Sequence, residues 1–385
     1  MSLVVYEPCA LHLPPDLPVV REVRPHRLHI SPEVALTDDE LRRYDRTTVF
    51  YDVFIGSSGR KIIAIGPPTL NLEPYVLPVN MCVVDPHGNV SKTLTFRVKH
   101  FSHHSVYEFP LPKGYRTKSG VLKLSLTFPG GHVQELTTSV VPDSPVSISL
   151  STIQKDEPLT WLRDWTTYWF GLGVRRIILY DNGSDYFQEL ISSAAIFPVE
   201  LDLIVVNWAF EYGPTRSFDL CFAQWAALNH ARLAFSCSGW SAAFDVDEYP
   251  ITRDRTSLSE FLDSQSRRVG QVKMRGYNVC NTVDAPSPTE PPLTARDFVI
   301  RERQASDTTK YFYRTRWART ARVHDADICL LKSSLLDPSI AAYFHYIGLN
   351  RGWMHPGRLS RTLANDQTHV EDRSVADALA GWEIV

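Results

Sequence analysis

The chemistry-bearing stretch of this chain is Gly239-Trp240-Ser241-Ala242-Ala243-Phe244-Asp245-Val246-Asp247-Glu248-Tyr249, where an apolar run ends in three carboxylates within four residues. Two aspartates at i and i+2 on an extended segment point the same way, so Asp245 and Asp247 can address one cation. A hard divalent ion bound by carboxylate oxygens and by substrate phosphates is the economical use of such a pair. The plainer reading is a turn at a strand end with solvated acids.

The elements around this stretch predict a sheet that would place it at an edge. Val146 to Ile153 reads as a strand, and Asp156-Glu157-Pro158 opens a helix with acids and proline at its start. That helix carries Leu159, Leu162, Trp165, Trp169 and Leu172 at helical spacing and stops at Gly173. Strands over Val174–Tyr180 and Leu201–Val206, with a long helix over Phe218–Leu233, lead to the strand ending in Asp245. Alternating strands and helices specify an α/β domain with a mostly parallel sheet and covering helices. Asp181 and Asp245 would both close strands at their carboxyl ends, where ligands bind in open α/β sheets.

Upstream the pattern differs. Residues 1–45 are proline-rich and read as an extended lead-in. From about 47 to 141 short strands alternate with Gly/Pro turns, as in Thr48–Ile55, Lys61–Ile65, Ser91–Val98, Gly120–Phe128 and His132–Val141. This predicts a β-rich, sandwich-like domain. His100, His103 and His104 lack a companion acid or cysteine spacing and read as surface histidines. The pattern changes at Pro142-Asp143-Ser144-Pro145, dividing an accessory domain (1–145) from an α/β domain (146–385). Beyond Asp247 the reading is a helix over Ser257–Ser266 and a strand over Gly270–Val279, then a proline-rich loop over Pro286–Pro292. A strand pair over Tyr311–Trp317 and Thr320–Val323 follows, and a polar helix closes the chain.

The net charge of −3 at pH 7 provides no general attraction to nucleic acid. Six cysteines, none at C-x-x-C spacing, argue against a zinc ribbon and are read as reduced thiols. The N-terminus shows no basic region leading into an apolar one, and no apolar stretch reaches the roughly 18 residues of a membrane span. The chain is therefore read as cytoplasmic, without a transmembrane segment.

A series of motifs in chain order resembles glycosyltransferase family 92 and its relatives in the wider family 2-like group. Its pieces are Ile153-Gln154-Lys155-Asp156-Glu157, Leu162-Arg163-Asp164-Trp165, Leu179-Tyr180-Asp181-Asn182-Gly183-Ser184, Gln224, Asn229, Trp240, Asp245-Val246-Asp247-Glu248, Lys310 with Arg314, His324, and Phe344-His345-Tyr346. The resemblance covers about 150–355. It departs from the family pattern at Tyr168-Trp169 and at Asn350-Arg351-Gly352-Trp353.

The resemblance implies a GT-A fold that binds a nucleotide sugar, with UDP as the prior base, through Mn²⁺ or Mg²⁺. It also implies inverting transfer to a glycan or small-molecule acceptor. Asp247 is the first choice of metal ligand, Asp245 contacts ribose or metal, and either His324 or His345 completes the set. Lys155, Glu157, Asp181 and Arg314, with Arg316 and Arg351, would meet the nucleotide and its diphosphate. The base that takes the acceptor's proton is left open among Glu248, Asp284, Glu290, Asp297 and Glu302. Trp240, Trp317 and Trp353 could stack on a sugar. Two other readings are a non-catalytic carbohydrate-binding or scaffold protein on the same fold and a nucleotidyltransferase; the latter would want a Gly-rich, Lys/Arg-bearing loop after the first strand, and there is none. The accessory domain could contact the acceptor, shield the catalytic domain, or make a homo-oligomer.

Overall fold

The computed structural model describes residues 2–13, 37–85, 87–116, 120–141, 145–213, 220–235, 239–252, 257–280, 293–347, 349 and 367–382. The chain forms two compact units: Met1–Tyr6, Pro145–Val206 and Ser238–Val385 in one, Glu7–Ser144 and Asn207–Cys237 in the other.

The first unit holds, among the described residues, a twelve-stranded sheet. In chain order its strands are β1 (Ser2–Tyr6), β2 (Ile148–Gln154), β3 (Arg176–Asp181), β4 (Asp202–Asn207), β5 (Trp240–Ala243) and β6 (Glu248–Thr252). They continue as β7 (Val269–Cys280), β8 (Ile300–Glu302), β9 (Thr309–Arg314), β10 (Lys332–Leu335), β11 (Ala341–Tyr346) and β12 (His369–Glu371). The main order is β1-β4-β3-β2-β5-β9-β7-β8-β12, with β10 and β11 on β7 and β6 on β11. β2 runs parallel to both β3 and β5, whereas β9 is antiparallel to β5 and β7. The parallel half is buried, so its strands read as continuous apolar runs such as Ile177-Ile178-Leu179.

The helix α1 (Leu159–Gly171) presents Trp161, Leu162, Trp165 and Trp169 to the core of this unit. Gly173, at φ 97°, supplies the left-handed residue that ends it, and the Val174 N–H then donates to the Trp169 carbonyl at 3.1 Å. The rings of Trp169, Phe244 and Phe312 meet edge-on or tilted with centroids 4.9 to 6.1 Å apart. Phe244, the last apolar residue before the acids, is thereby clamped between helix and sheet.

Several expectations are corrected here. Residues 2–6 are not a loose lead-in: β1 is a strand of the large sheet, parallel to β4, with Ser2 opposite Asp202 and Tyr6 opposite Val206. The two strands expected to pair near 311–323 do not pair with each other. β9 joins the large sheet, while Ala318–Ala321 pairs with Ala326–Ile328. The closing segment is a strand, β12, followed by a helix of eight residues, Ser374–Gly381.

The second unit contains a four-stranded antiparallel sheet (Asp52–Ile55, Lys61–Gly66, Ser105–Pro110, Arg97–His100) and a three-stranded one (Asn80–Val84, Lys123–Thr127, Val133–Thr137). Its core joins Phe50, Val53, Ile62, Met81, Tyr107, Phe109, Leu124 and Leu126. The helix Phe222–His230 and the π-helical turn Ala231–Phe235 belong to this unit, although they lie inside the stretch expected to form the α/β domain. A buried polar contact is among the ties that hold them there: His230 Nε2 meets Asp52 Oδ2 at 2.8 Å, with both side chains fully buried. His104 is not a surface histidine either, being 1% exposed and stacked on Phe101. Cys9, Cys82 and Cys329 are free thiols.

Candidate active site

The carboxyl ends of β2, β3 and β5 lie at one edge of the sheet. Gln154 is opposite Asp181 and Ser151 opposite Ala243, so the turn Phe244–Asp247 projects from the same edge as Asp181. The turn closes when the Glu248 N–H donates to the Asp245 carbonyl at 3.0 Å. Two α1 side chains hold the strand after it: the Trp165 indole donates to the Glu248 carbonyl (3.2 Å) and the Tyr168 hydroxyl to the Pro250 carbonyl (2.7 Å). The Trp-x-x-Tyr spacing in the first helix therefore fixes the backbone of the acidic turn.

Two of the three acids share a partner, and the third has its own. Lys310 Nζ lies 2.8 Å from Asp245 Oδ2 and 2.7 Å from Glu248 Oε2, and Glu248 Oε2 also accepts the Asp245 N–H at 2.9 Å. Asp247 Oδ2 instead meets His345 Nε2 at 3.4 Å. That contact follows from pairing, because β6 and β11 are antiparallel with Glu248 opposite His345, and the Tyr346 N–H donates to the Asp247 carbonyl at 2.8 Å. The Asp245 side chain is 48% exposed and that of Glu248 4%.

Burial works to raise the Asp245 carboxyl, but the Lys310 ammonium prevails by charge and hydrogen bond and holds it below the usual range. Burial, reinforced by Asp245, pushes Glu248 up to about 7 against the pull of Lys310. Burial also opposes the charge on Lys310, and the two carboxylates overcome it and raise its pKa. One ammonium cannot neutralise two carboxylates, and the more exposed Asp245 keeps the charge more readily.

Among the described residues no group of three His, Cys, Asp or Glu side chains converges as a ready-made metal cage. Two donors do fit an ion. Adjacent ligands of an octahedral cation with bonds of about 2.1 Å stand roughly 3 Å apart, close to the 3.4 Å between Asp247 and His345. Such cations keep several positions for water and phosphate, so a two-residue protein set suffices. His324 does not touch Asp247. It is exposed, and its Nδ1 donates to the Thr309 carbonyl at 3.0 Å. Its charge nonetheless reaches Asp245, which places it near the same turn.

The other expected residues divide. Asp181 is fully buried, with its oxygens taken by the Gln154 side chain and by the Ser184 N–H at 2.9 Å. It shapes the loop after β3, and at 0% exposure it is closed off by these partners. Glu157 sits in the facing loop, where its N–H donates to Gln154 Oε1 at 3.3 Å and its carbonyl accepts the Tyr186 hydroxyl. Lys155 is half-buried beside them. Arg314 is not at the turn: it pairs opposite Trp240, at the far end of β5, with its guanidinium 4.3 Å from that ring. Trp240 is consequently 3% exposed, and Trp317 lies beneath Arg316.

Glu302 is brought toward the turn. β8 lies antiparallel to β7 with Arg301 opposite Val279, and Glu302 Oε2 accepts from Asn278 Nδ2 at 3.0 Å. Asn278 in turn is the register partner of His345. Glu248, His345, Asn278 and Glu302 thus form one cross-strand row on one face. Tyr343 occupies the next position on that face, with its ring across Gly276. The sequence reading missed Asn278, Gly276 and Tyr343. Lys310 stands in the motif series with Arg314, and its place beside the aromatic run Tyr311-Phe312-Tyr313 is the sequence signal of its burial. Asp297 closes a local turn by accepting from the Thr294 N–H at 2.7 Å. Asp284, Glu290, Arg351 and Trp353 lie outside the described residues.

The chain belongs to glycosyltransferase family 92, whose family model matches residues 144–374, well over half of its length. A comparison with curated proteins finds no significant match. Among solved structures, S. aureus TarS 1–349 matches at 15% identity with a TM-score of 0.28, over 53% of this chain and 61% of that one. This chain thus spans less than two thirds of the TarS chain it matches. HddC from Yersinia pseudotuberculosis matches at 10% identity and 0.28, over 51% and 92% of the two chains. The bifunctional glycosyltransferase WbbM matches at 15% and 0.22, over 37% and 27%. At these scores the likeness bears on neither the fold nor the function of this chain. No helix among the described residues is long and apolar enough to cross a membrane.

Proposed function

We propose that this protein is a GT-A-type, metal-dependent, inverting glycosyltransferase that moves a sugar from a nucleotide-diphosphate donor to an acceptor hydroxyl. The observation that carries the reading is the pairing of Asp247 with His345, 3.4 Å apart, at the carboxyl edge of the parallel strands. A Mn²⁺ or Mg²⁺ ion held by these two residues would supply Lewis-acid stabilisation of the diphosphate as it departs. UDP is the first base to test.

The residues around the turn would do the rest. Asp181, through Gln154 and Ser184, keeps the loops of Lys155 and Glu157 in place to frame the nucleotide. Glu302 is our choice of base. Asn278 holds its Oε2, and among the described residues Oε1 makes no hydrogen bond. In a direct displacement the acceptor oxygen bonds to the anomeric carbon as its proton passes to Glu302. The bond from that carbon to the diphosphate oxygen breaks, and the electron pair leaves with the diphosphate.

Isothermal titration with UDP, with and without Mn²⁺, tests the donor site. Metal-dependent binding that disappears in Asp247→Ala supports it. UDP, GDP and CMP all failing to bind in the presence of Mn²⁺ would overturn it.

A further inference from the structure

Lys310 is a charge in an apolar place. It precedes Tyr311, Phe312 and Tyr313 in β9 and is 2% exposed. A buried ammonium is costly unless it is closely paired, and this one is paired twice, at 2.8 Å to Asp245 and 2.7 Å to Glu248. The ring closes through the Asp245 N–H on Glu248 Oε2 at 2.9 Å. Of the three acids in the turn, Asp247 alone turns to a different partner, His345.

We infer that Lys310 is a positioning residue: an internal cation that withdraws Asp245 and Glu248 from metal binding and confines a divalent ion to Asp247 and His345. The inference rests on the metal-dependent reading above. It makes the Asp-x-Asp pair asymmetric, although both residues have the same chemistry. It also has a consequence for charge. An ion held by one carboxylate and one neutral imidazole keeps a net positive charge for the diphosphate, whereas two carboxylates would cancel it. Asp245, held by the lysine, remains half-exposed and oriented to accept a hydrogen bond from the donor's hydroxyl groups.

The test is calorimetric titration of the full chain with Mn²⁺ alone, without donor, so that the readout is affinity and not turnover. In Asp245→Asn, which leaves the Lys310–Glu248 pair intact, Mn²⁺ affinity should fall by less than about fivefold, the through-space effect of one lost charge at an effective dielectric between protein and water. In Asp247→Asn it should fall by about a hundredfold or more, since a direct ligand is lost. The variant Lys310→Met/Glu248→Gln keeps the net charge and frees Asp245 to join the ion, so affinity should rise by about tenfold and return on adding Asp245→Asn. Equal losses in Asp245→Asn and Asp247→Asn, or no gain in the double variant, would overturn the role of Lys310 while leaving metal dependence standing. A wild-type protein that binds no Mn²⁺ with or without UDP would overturn both. Thermal melts of each variant verify folding, and Asp245→Asn alone decides the matter if the double variant does not fold.

Discussion

His345 Nε2 stands 3.4 Å from Asp247 Oδ2 although the two residues are nearly a hundred positions apart in the chain. The antiparallel pairing of β6 with β11 puts them together, and the Tyr346 N–H on the Asp247 carbonyl at 2.8 Å locks the register. Replacing His345 by alanine should therefore lower donor-dependent sugar transfer by about a hundredfold, in the range seen when a metal site loses a supporting group, while Asp247→Ala abolishes it. Chelation with EDTA should reproduce the Asp247→Ala phenotype, with activity restored by Mn²⁺. Unchanged transfer in EDTA would contradict the metal assignment.

Gly276 lies under the Tyr343 ring, and a Cβ there would come within 2.5 Å of the ring carbon Cζ. Tyr343 is 1% exposed and has no room to yield. Gly276→Ala should cost about 1–3 kcal/mol through overpacking and also depress transfer, because the displaced ring is two residues from His345 on the same face. A denaturant titration and a turnover assay measure the two effects; a variant with wild-type values in both would contradict this account.

Arg176 has a fully buried side chain whose guanidinium contacts Asp202 Oδ2 at 2.6 Å, linking neighbouring strands β3 and β4. Removing one partner of a fully buried pair costs about 3–5 kcal/mol. Because Asp202 is 22% exposed, Asp202→Ala should cost less, about 2–3 kcal/mol. Urea unfolding followed by tryptophan fluorescence reads this directly.

The second unit carries a pH dependence of its own. Burial first, then the nearby Arg232 and His103, hold the His104 imidazole down at about 3, against an ordinary value of 6.5. Between those values the unfolded chain binds the proton and the folded chain does not, so protonation favours unfolding. This contribution to stability is fully present above pH 6.5 and is lost progressively as pH falls toward 3. In His104→Leu the melting temperature should fall less steeply over pH 6.5 to 4 than in the wild type. Parallel slopes would show that other groups carry the acid limb.

Some of this was legible in the sequence because local patterns report local structure. The helical spacing of Leu159, Leu162, Trp165, Trp169 and Leu172 specifies α1, and the apolar runs before Asp181 and Asp245 specify buried strands with acids at their tips. The ordered motif series points to the family, which the family model over residues 144–374 bears out.

What only the tertiary structure decided is where distant segments meet. Residues 2–6, inside a stretch read as a lead-in because of the prolines that follow, gain their pairing from β4, some 200 positions away. The helix expected over Phe218–Leu233 reads as part of the α/β domain, yet the segment Asn207–Cys237 that contains it belongs to the β-rich unit, where His230 meets Asp52. Lys310 and Arg314 look equivalent in the sequence because both lie on one face of a strand. Four residues of strand span about 13 Å, however, so Lys310 reaches Asp245 while Arg314 stacks on Trp240 at the other end of β5. The sequence by itself determined which residue types stand at the strand tips. The pairing registers of β6, β9 and β11 decided which partner each acid receives, because a register is set by long-range packing and not by the residues that it aligns.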